Sequence, residues 1–185
     1  MKPTKEIKRL IDIALSARKN AYCPYSKYPV GASVLTSSGR ILAGCNVENA
    51  SYGLSMCAER SAIFNAVSRR QTQIKAICIV GSSAKPCGAC RQVMLEFSTK
   101  DTILYLVNVS GDSRRHTVTR AKVFSMLPSP FDPYASGLLS RPANPQNLMR
   151  RKHPSRKNAR RRPSRRTRAA GRRGSGRRKA RARKG

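Results

Sequence analysis

Four residues in the middle of the chain have the types and spacing of a metal centre with a proton carrier beside it: Cys57, Glu59, Cys87 and Cys90. Cys87-Gly88-Ala89-Cys90 sets two thiols one helical turn apart, so both sulfurs can face one ion, and Cys57 opens the preceding helical pattern. Three protein ligands leave one tetrahedral position open. That open position separates a zinc that binds water from a closed structural one. Glu59 follows Cys57 by two residues, where the start of a helix holds a carboxylate near the metal without using it as a ligand. There it can shuttle protons. Taken alone, Cys-x-x-Cys is equally at home in redox motifs and structural zinc sites.

The elements that must position these residues can be read from periodicity. Ile7, Leu10, Ile11, Ala14 and Ala17 share one stripe, which predicts an amphipathic helix from Thr4 to Lys19. Val30 to Leu35 and Arg40 to Val47 read as strands joined by the turn residues Thr36-Ser37-Ser38-Gly39. Cys57 to Ser68 reads as a helix, Ile74 to Val80 as a buried strand, Cys87 to Phe97 as a helix and Thr102 to Val109 as a strand. The alternation predicts an α/β sandwich with some parallel pairing. Val118 to Leu127 is expected to hold a short helix before Pro128. Cys78, in an apolar strand, is expected to be a small core residue, and Cys23 and Cys45 have no comparable partners.

Charge divides the 185-residue chain. Residues 141–185 carry 20 of the 39 Lys and Arg and none of the eight Asp and Glu. This segment, rich in Pro, Gly and Ser, cannot bury a core and is expected to be a disordered basic tail after a domain spanning 1–140. Three readings of it stay open: a non-specific nucleic-acid arm, a targeting or other polyanion-binding segment, or a stretch with no selected role. The N-terminal segment is charged and helically periodic, unlike a secretory signal, so a reducing compartment, the cytoplasm, is expected for the six cysteines. No apolar run approaches the roughly 20 residues of a membrane span.

Cys-Ala-Glu at one helix start, then a strand, then Pro-Cys-x-x-Cys at the next, matches the zinc deaminase signature, with Cys in place of the His variant. Three stretches, AYCPYSKYPVGA, GCNVENASYGLSMCAERSAIFNA and PCGACRQVMLEF, follow in order the pattern of the small homotetrameric cytidine deaminases. The segment from Ile7 to Phe131 resembles that family. The resemblance implies a three-layer α/β/α sandwich around a mixed five-stranded sheet and one zinc per subunit. It also implies hydrolysis of cytidine and deoxycytidine to their uridine counterparts and ammonia, as in pyrimidine salvage. It implies further that Asn46 and Glu48 hydrogen-bond the ribose hydroxyls and that Tyr28 stacks on the pyrimidine, where the family usually has phenylalanine. Phe131 would reach into a neighbouring subunit's site, although a core plug is an equal reading. The loop from Gly81 to Lys85 is shorter than the family's.

Three thiolates leave a bound Zn²⁺ with a net charge of about −1, which weakens it as a Lewis acid. Helix N-termini at Cys57 and Cys87 favour thiolate, and Arg60 and Arg91 are placed to donate charge-assisted hydrogen bonds to sulfur, against the reading that both are surface residues. Two rival functions remain. A polynucleotide-editing deaminase would use the basic tail, and a non-catalytic zinc module would leave Glu59 without a task. A related aminopyrimidine nucleoside is the alternative substrate within the same chemistry.

Overall fold

The structure, a computed structural model, describes residues 4–110 and 115–138. The expected basic tail, 141–185, lies outside the described residues, as do the first three.

Helix α1 (Lys5–Arg18) starts where Thr4 caps it and buries Leu10, Ile11, Ala14 and Ala17, the stripe read from the sequence. Strands β1 (Gly31–Thr36) and β2 (Ile41–Cys45) form the expected hairpin, with Gly39 at φ +80° in its turn, a conformation that favours glycine. Strand β2 stops at Cys45 instead of Val47, so Asn46 to Glu48 leave the strand ladder. Helix α2 (Ala58–Ser68), strand β3 (Ile74–Gly81), helix α3 (Gly88–Glu96) and strand β4 (Ser98–Val109) follow in the predicted order.

One expectation needs correcting. The segment read as a helix from Val118 to Leu127 is strand β5 (His116–Lys122) followed by a single 3₁₀ turn at Val123–Met126. Strand β5 pairs antiparallel with β4, from Val109 opposite His116 to Ile103 opposite Lys122. Backbone pairing with a strand already in place stabilises an extended conformation that the side chains do not announce, since nearly all of them are exposed.

The sheet order is β2-β1-β3-β4-β5, mixed, with β3 and β4 parallel and the other neighbours antiparallel. Alternate residues of the central strands separate two cores. Leu35, Ala76, Cys78, Val80 and Val107 face Leu10, Ile11 and Ala14 of α1. Val34, Ile77, Ile79 and Leu104 face Ala62, Ile63 and Ala66 of α2 and Met94 of α3. The result is the three-layer α/β/α sandwich. Cys78 is fully buried in the first core, as expected, and burial pushes its thiol up to about 12.

Two glycines let the layers close. A Cβ on Gly31 would stand 2.2 Å from the Ala14 carbonyl oxygen, and one on Gly44 would stand 2.3 Å from the Ala62 nitrogen. Backbone therefore lies against backbone between α1 and β1 on one face and between α2 and β2 on the other.

Candidate metal centre and active site

Both helices on the second face begin at a cysteine. Cys57 and Cys87 are the N-cap residues of α2 and α3, in extended conformation, and neither side chain makes a capping hydrogen bond. Their sulfurs are left free to turn toward each other, 3.9 Å apart. Cys90, in the first turn of α3 and fully buried, supplies the third, and all three sulfurs lie within 4.8 Å of one another. A disulfide needs about 2.0 Å between sulfurs. Two sulfurs bound to one tetrahedral zinc at about 2.3 Å stand about 3.8 Å apart. The donor set fits zinc in both chemistry and spacing, and all six cysteines of the chain are free thiols.

Proton sharing within the cluster follows from its geometry. Cys57 is held down to about 5, chiefly by the hydrogen bond it receives from Cys90 and then, against the effect of burial, by Arg60 and Cys87. Cys90 is shifted upward because it supplies that hydrogen bond and is buried. Cys57 is thus the thiolate of the pair, and a metal must displace the proton of Cys90.

Glu59 sits in the first turn of α2 and is only 4% exposed. Burial raises its carboxyl from 4.5 to about 7, with the Cys57 charge acting in the same direction. A carboxyl that titrates near neutrality both takes and returns a proton at low cost.

The arginines divide. Arg60 donates through one terminal nitrogen to the Ser55 carbonyl at 3.3 Å and the Cys57 sulfur at 3.8 Å. Burial works against its charge, yet contact with Cys57 holds its pKa above the ordinary value. Its Nε is buried without a hydrogen-bond partner among the described residues, so the guanidinium keeps this position at a desolvation cost. The expectation for Arg91 is corrected: its Nε donates to the Pro86 carbonyl at 2.9 Å and its Nη1 to the Met126 carbonyl at 2.9 Å. Arg91 ties the approach to Cys87 to the 3₁₀ turn instead of bonding sulfur.

Beyond β2, Asn46 and Glu48 grip the segment that carries Tyr28. The Asn46 amide oxygen accepts the Val30 N–H at 2.8 Å and its nitrogen donates to the Tyr28 carbonyl at 3.0 Å. Glu48 accepts the Tyr25 and Ser26 amides at 3.0 and 3.2 Å and the Ser26 hydroxyl, which together hold its carboxylate below the usual range. The Tyr28 hydroxyl has a partner, Ser83. Phe131 is 62% exposed, which excludes the core plug; its carbonyl accepts from Gln92 at 2.8 Å. Sequence reasoning missed Ser26 and Ser83, whose partners Glu48 and Tyr28 lie 22 and 55 residues away and leave no local pattern, and Ser55, which serves Arg60 through its backbone carbonyl, a group that every residue type carries.

Residues 4–106 match the family model described as the cytidine and deoxycytidylate deaminase zinc-binding region. A cytidine deaminase of Halalkalibacterium halodurans is 46% identical over 125 residues, 66% of this chain and 91% of that protein. One of Sporosarcina psychrophila is 43% identical over 129 residues, 68% of this chain and 91% of that relative. The crystal structure of the Burkholderia pseudomallei cytidine deaminase, 42% identical, covers 70% of this chain and all of its own, with a TM-score of 0.62.

Proposed function

Because this chain belongs to the cytidine and deoxycytidylate deaminase family, we propose that it is a zinc-dependent hydrolase converting cytidine and deoxycytidine, with water, to uridine and deoxyuridine plus ammonia. The observation that carries this reading is the convergence of three sulfurs with a buried carboxyl at the same helix start. Cys57, Cys87 and Cys90 would hold the metal. A zinc held there would supply Lewis acidity toward water. Glu59 takes a proton from the attacking water and passes it to N3 of the base as the oxygen adds at C4. It then takes the remaining proton from the hydroxyl now on C4 and delivers it to the amine, so that the C4 carbonyl forms as the C4–N bond breaks and ammonia leaves. Arg60 draws charge from the Cys57 sulfur and so keeps a three-thiolate centre electrophilic.

Asn46 and Glu48 are the ribose-binding pair of this proposal. The Asn46 amide keeps a second N–H and a second lone pair beyond its two backbone bonds, and the ionised Glu48 accepts from hydroxyls. The Tyr28 ring offers a flat face to the pyrimidine. The exposed Phe131 supports a homotetramer in which this ring completes a neighbouring site. Among the described residues no helix is long and apolar enough to cross a membrane. Free thiols at the metal centre favour a cytoplasmic setting and a role in pyrimidine salvage.

The 20 basic and no acidic residues of 141–185 support a division into a deaminase domain, 1–140, and a polyanion-binding tail that adds affinity for nucleic acid by counterion release. The deciding assay measures ammonia release from free cytidine, single-stranded RNA and single-stranded DNA. Turnover of cytidine alone supports a nucleoside enzyme, whereas turnover of a strand with none of cytidine overturns it in favour of polynucleotide editing.

A further inference from the structure

Of the ligands, Cys87 is the least secured by its own surroundings. Cys90 is buried within a helix, but Cys87 is exposed and its side chain caps nothing. Its place is therefore set by the backbone that leads to it, the short loop of residues 82–86 between the end of β3 and the start of α3.

Side chains from three parts of the chain hold that loop. Arg91 binds the Pro86 carbonyl, and the Asn108 amide oxygen accepts the Ala84 N–H at 2.8 Å. The third holds both backbone groups of one residue: the Tyr28 hydroxyl donates to the Ser83 carbonyl at 2.9 Å and accepts the Ser83 N–H at 2.9 Å. Gly81 leaves room for this arrangement, since a Cβ there would meet the Tyr28 hydroxyl at 3.2 Å but its ring carbon Cζ at 3.7 Å. Tyr28 in turn projects from a segment braced by Asn46 on its carbonyl and by Ser26 on its N–H at 3.1 Å.

We propose that Tyr28 is a positioning residue for the metal centre, its hydroxyl latching the loop at Ser83 so that the Cys87 sulfur stands in register with those of Cys57 and Cys90. A phenylalanine keeps the ring but cannot make either bond. The latch suits a short loop in which only Ala84, Lys85 and Pro86 separate Ser83 from the ligand. It also fixes the plane of the ring, so one side chain serves both the metal and the base. The inference rests on the reading of the three sulfurs as a zinc site.

The test uses the full chain as wild type, Tyr28→Phe, Gly81→Ala and the double variant. Zinc affinity is read by competition with a chromogenic chelator, and backbone hydrogen exchange at Ser83 and Ala84 is followed in zinc-stripped protein. Tyr28→Phe is expected to lower zinc affinity about tenfold, the low end of what loss of support behind a ligand costs. Exchange should quicken at Ser83 more than at Ala84, whose Asn108 bond remains. Gly81→Ala should weaken zinc binding in the wild-type background and much less beside Tyr28→Phe, where the crowded oxygen is gone. Unchanged zinc affinity and Ser83 exchange in Tyr28→Phe overturn the latch while leaving the zinc site standing. A wild-type chain that takes up no zinc overturns the zinc site itself, and the latch with it.

Discussion

Helix α1 begins at Thr4, whose hydroxyl accepts the Ile7 amide at 3.4 Å, with Glu6 in its first turn. Helices α2 and α3, on the opposite face of the same sheet, begin at Cys57 and Cys87, whose side chains cap nothing. The first start does what a helix start does for stability: a hydroxyl satisfies a free N–H and a carboxylate meets the positive end of the dipole. The other two leave their side-chain caps unmade and turn the same positions toward one another. Glu59 extends the contrast. Glu6 stands in a first turn facing solvent, while Glu59 occupies a first turn in the interior, where burial brings its pKa to about 7. The lesson is that a residue's place in its helix does not fix its task; the layer beneath it does.

The sharpest break of this contrast removes a ligand. Cys87→Ala is expected to lose zinc and bring ammonia release from cytidine to background while the circular dichroism spectrum stays folded, because Cys87 is exposed and buries nothing. Next in size, Glu59→Gln should keep one zinc per chain by metal analysis and lower kcat by about 10²–10⁴-fold, the range of a general acid-base contribution. Full turnover in that variant removes Glu59 from the mechanism.

Zinc affinity should also depend on pH, with a definite sign. Cys57, held down to about 5, is already ionised at neutrality, whereas Cys90 keeps its proton and must release it to bind metal. Uptake therefore releases at least the Cys90 proton, and affinity should rise at least about tenfold per pH unit. Competition titrations that show affinity independent of pH between 6 and 8 would contradict this proton release. The smallest effect is expected on the other face. Thr4→Ala should cost about 0.5–1 kcal/mol in a denaturant titration, the low end for a lost cap because its hydrogen bond is long, and leave kcat unchanged. A fall in kcat there would mean that the faces are coupled and that the contrast fails.

The cluster of Cys57, Cys87 and Cys90 was legible in the sequence because each part of it is local: two helix starts and a single turn carry the cysteines, and the apolar stripes of the neighbouring helices and strands bring the two starts to one face. Cys78 and the stripe of α1 were legible for the same reason. Strand β5 was not, because it lies at the sheet edge with almost every side chain exposed, so neither a period of two nor an apolar run marks it. The partners of Arg91 and Tyr28 were not legible either. Arg91 meets Met126, and Tyr28 meets Ser83 across a separation of 55 residues, and only the packed layers bring such pairs together. Adjacency to a motif suggested that both arginines serve sulfur, yet side chains one position apart on a helix point in different directions, and for Arg91 the direction decided otherwise.

Gly44 has no functional group, and what a side chain there would meet first is Ser61 and the backbone of Ala62. Yet the second turn of α2 rests directly on its backbone, so the absent side chain works as the thinnest available shim beneath the rod whose tip is Cys57. A methyl group there would lift or tilt that rod and open the gap to Cys87 and Cys90. The calibre of the ion's seat is thus gauged by an atom the sheet does not carry.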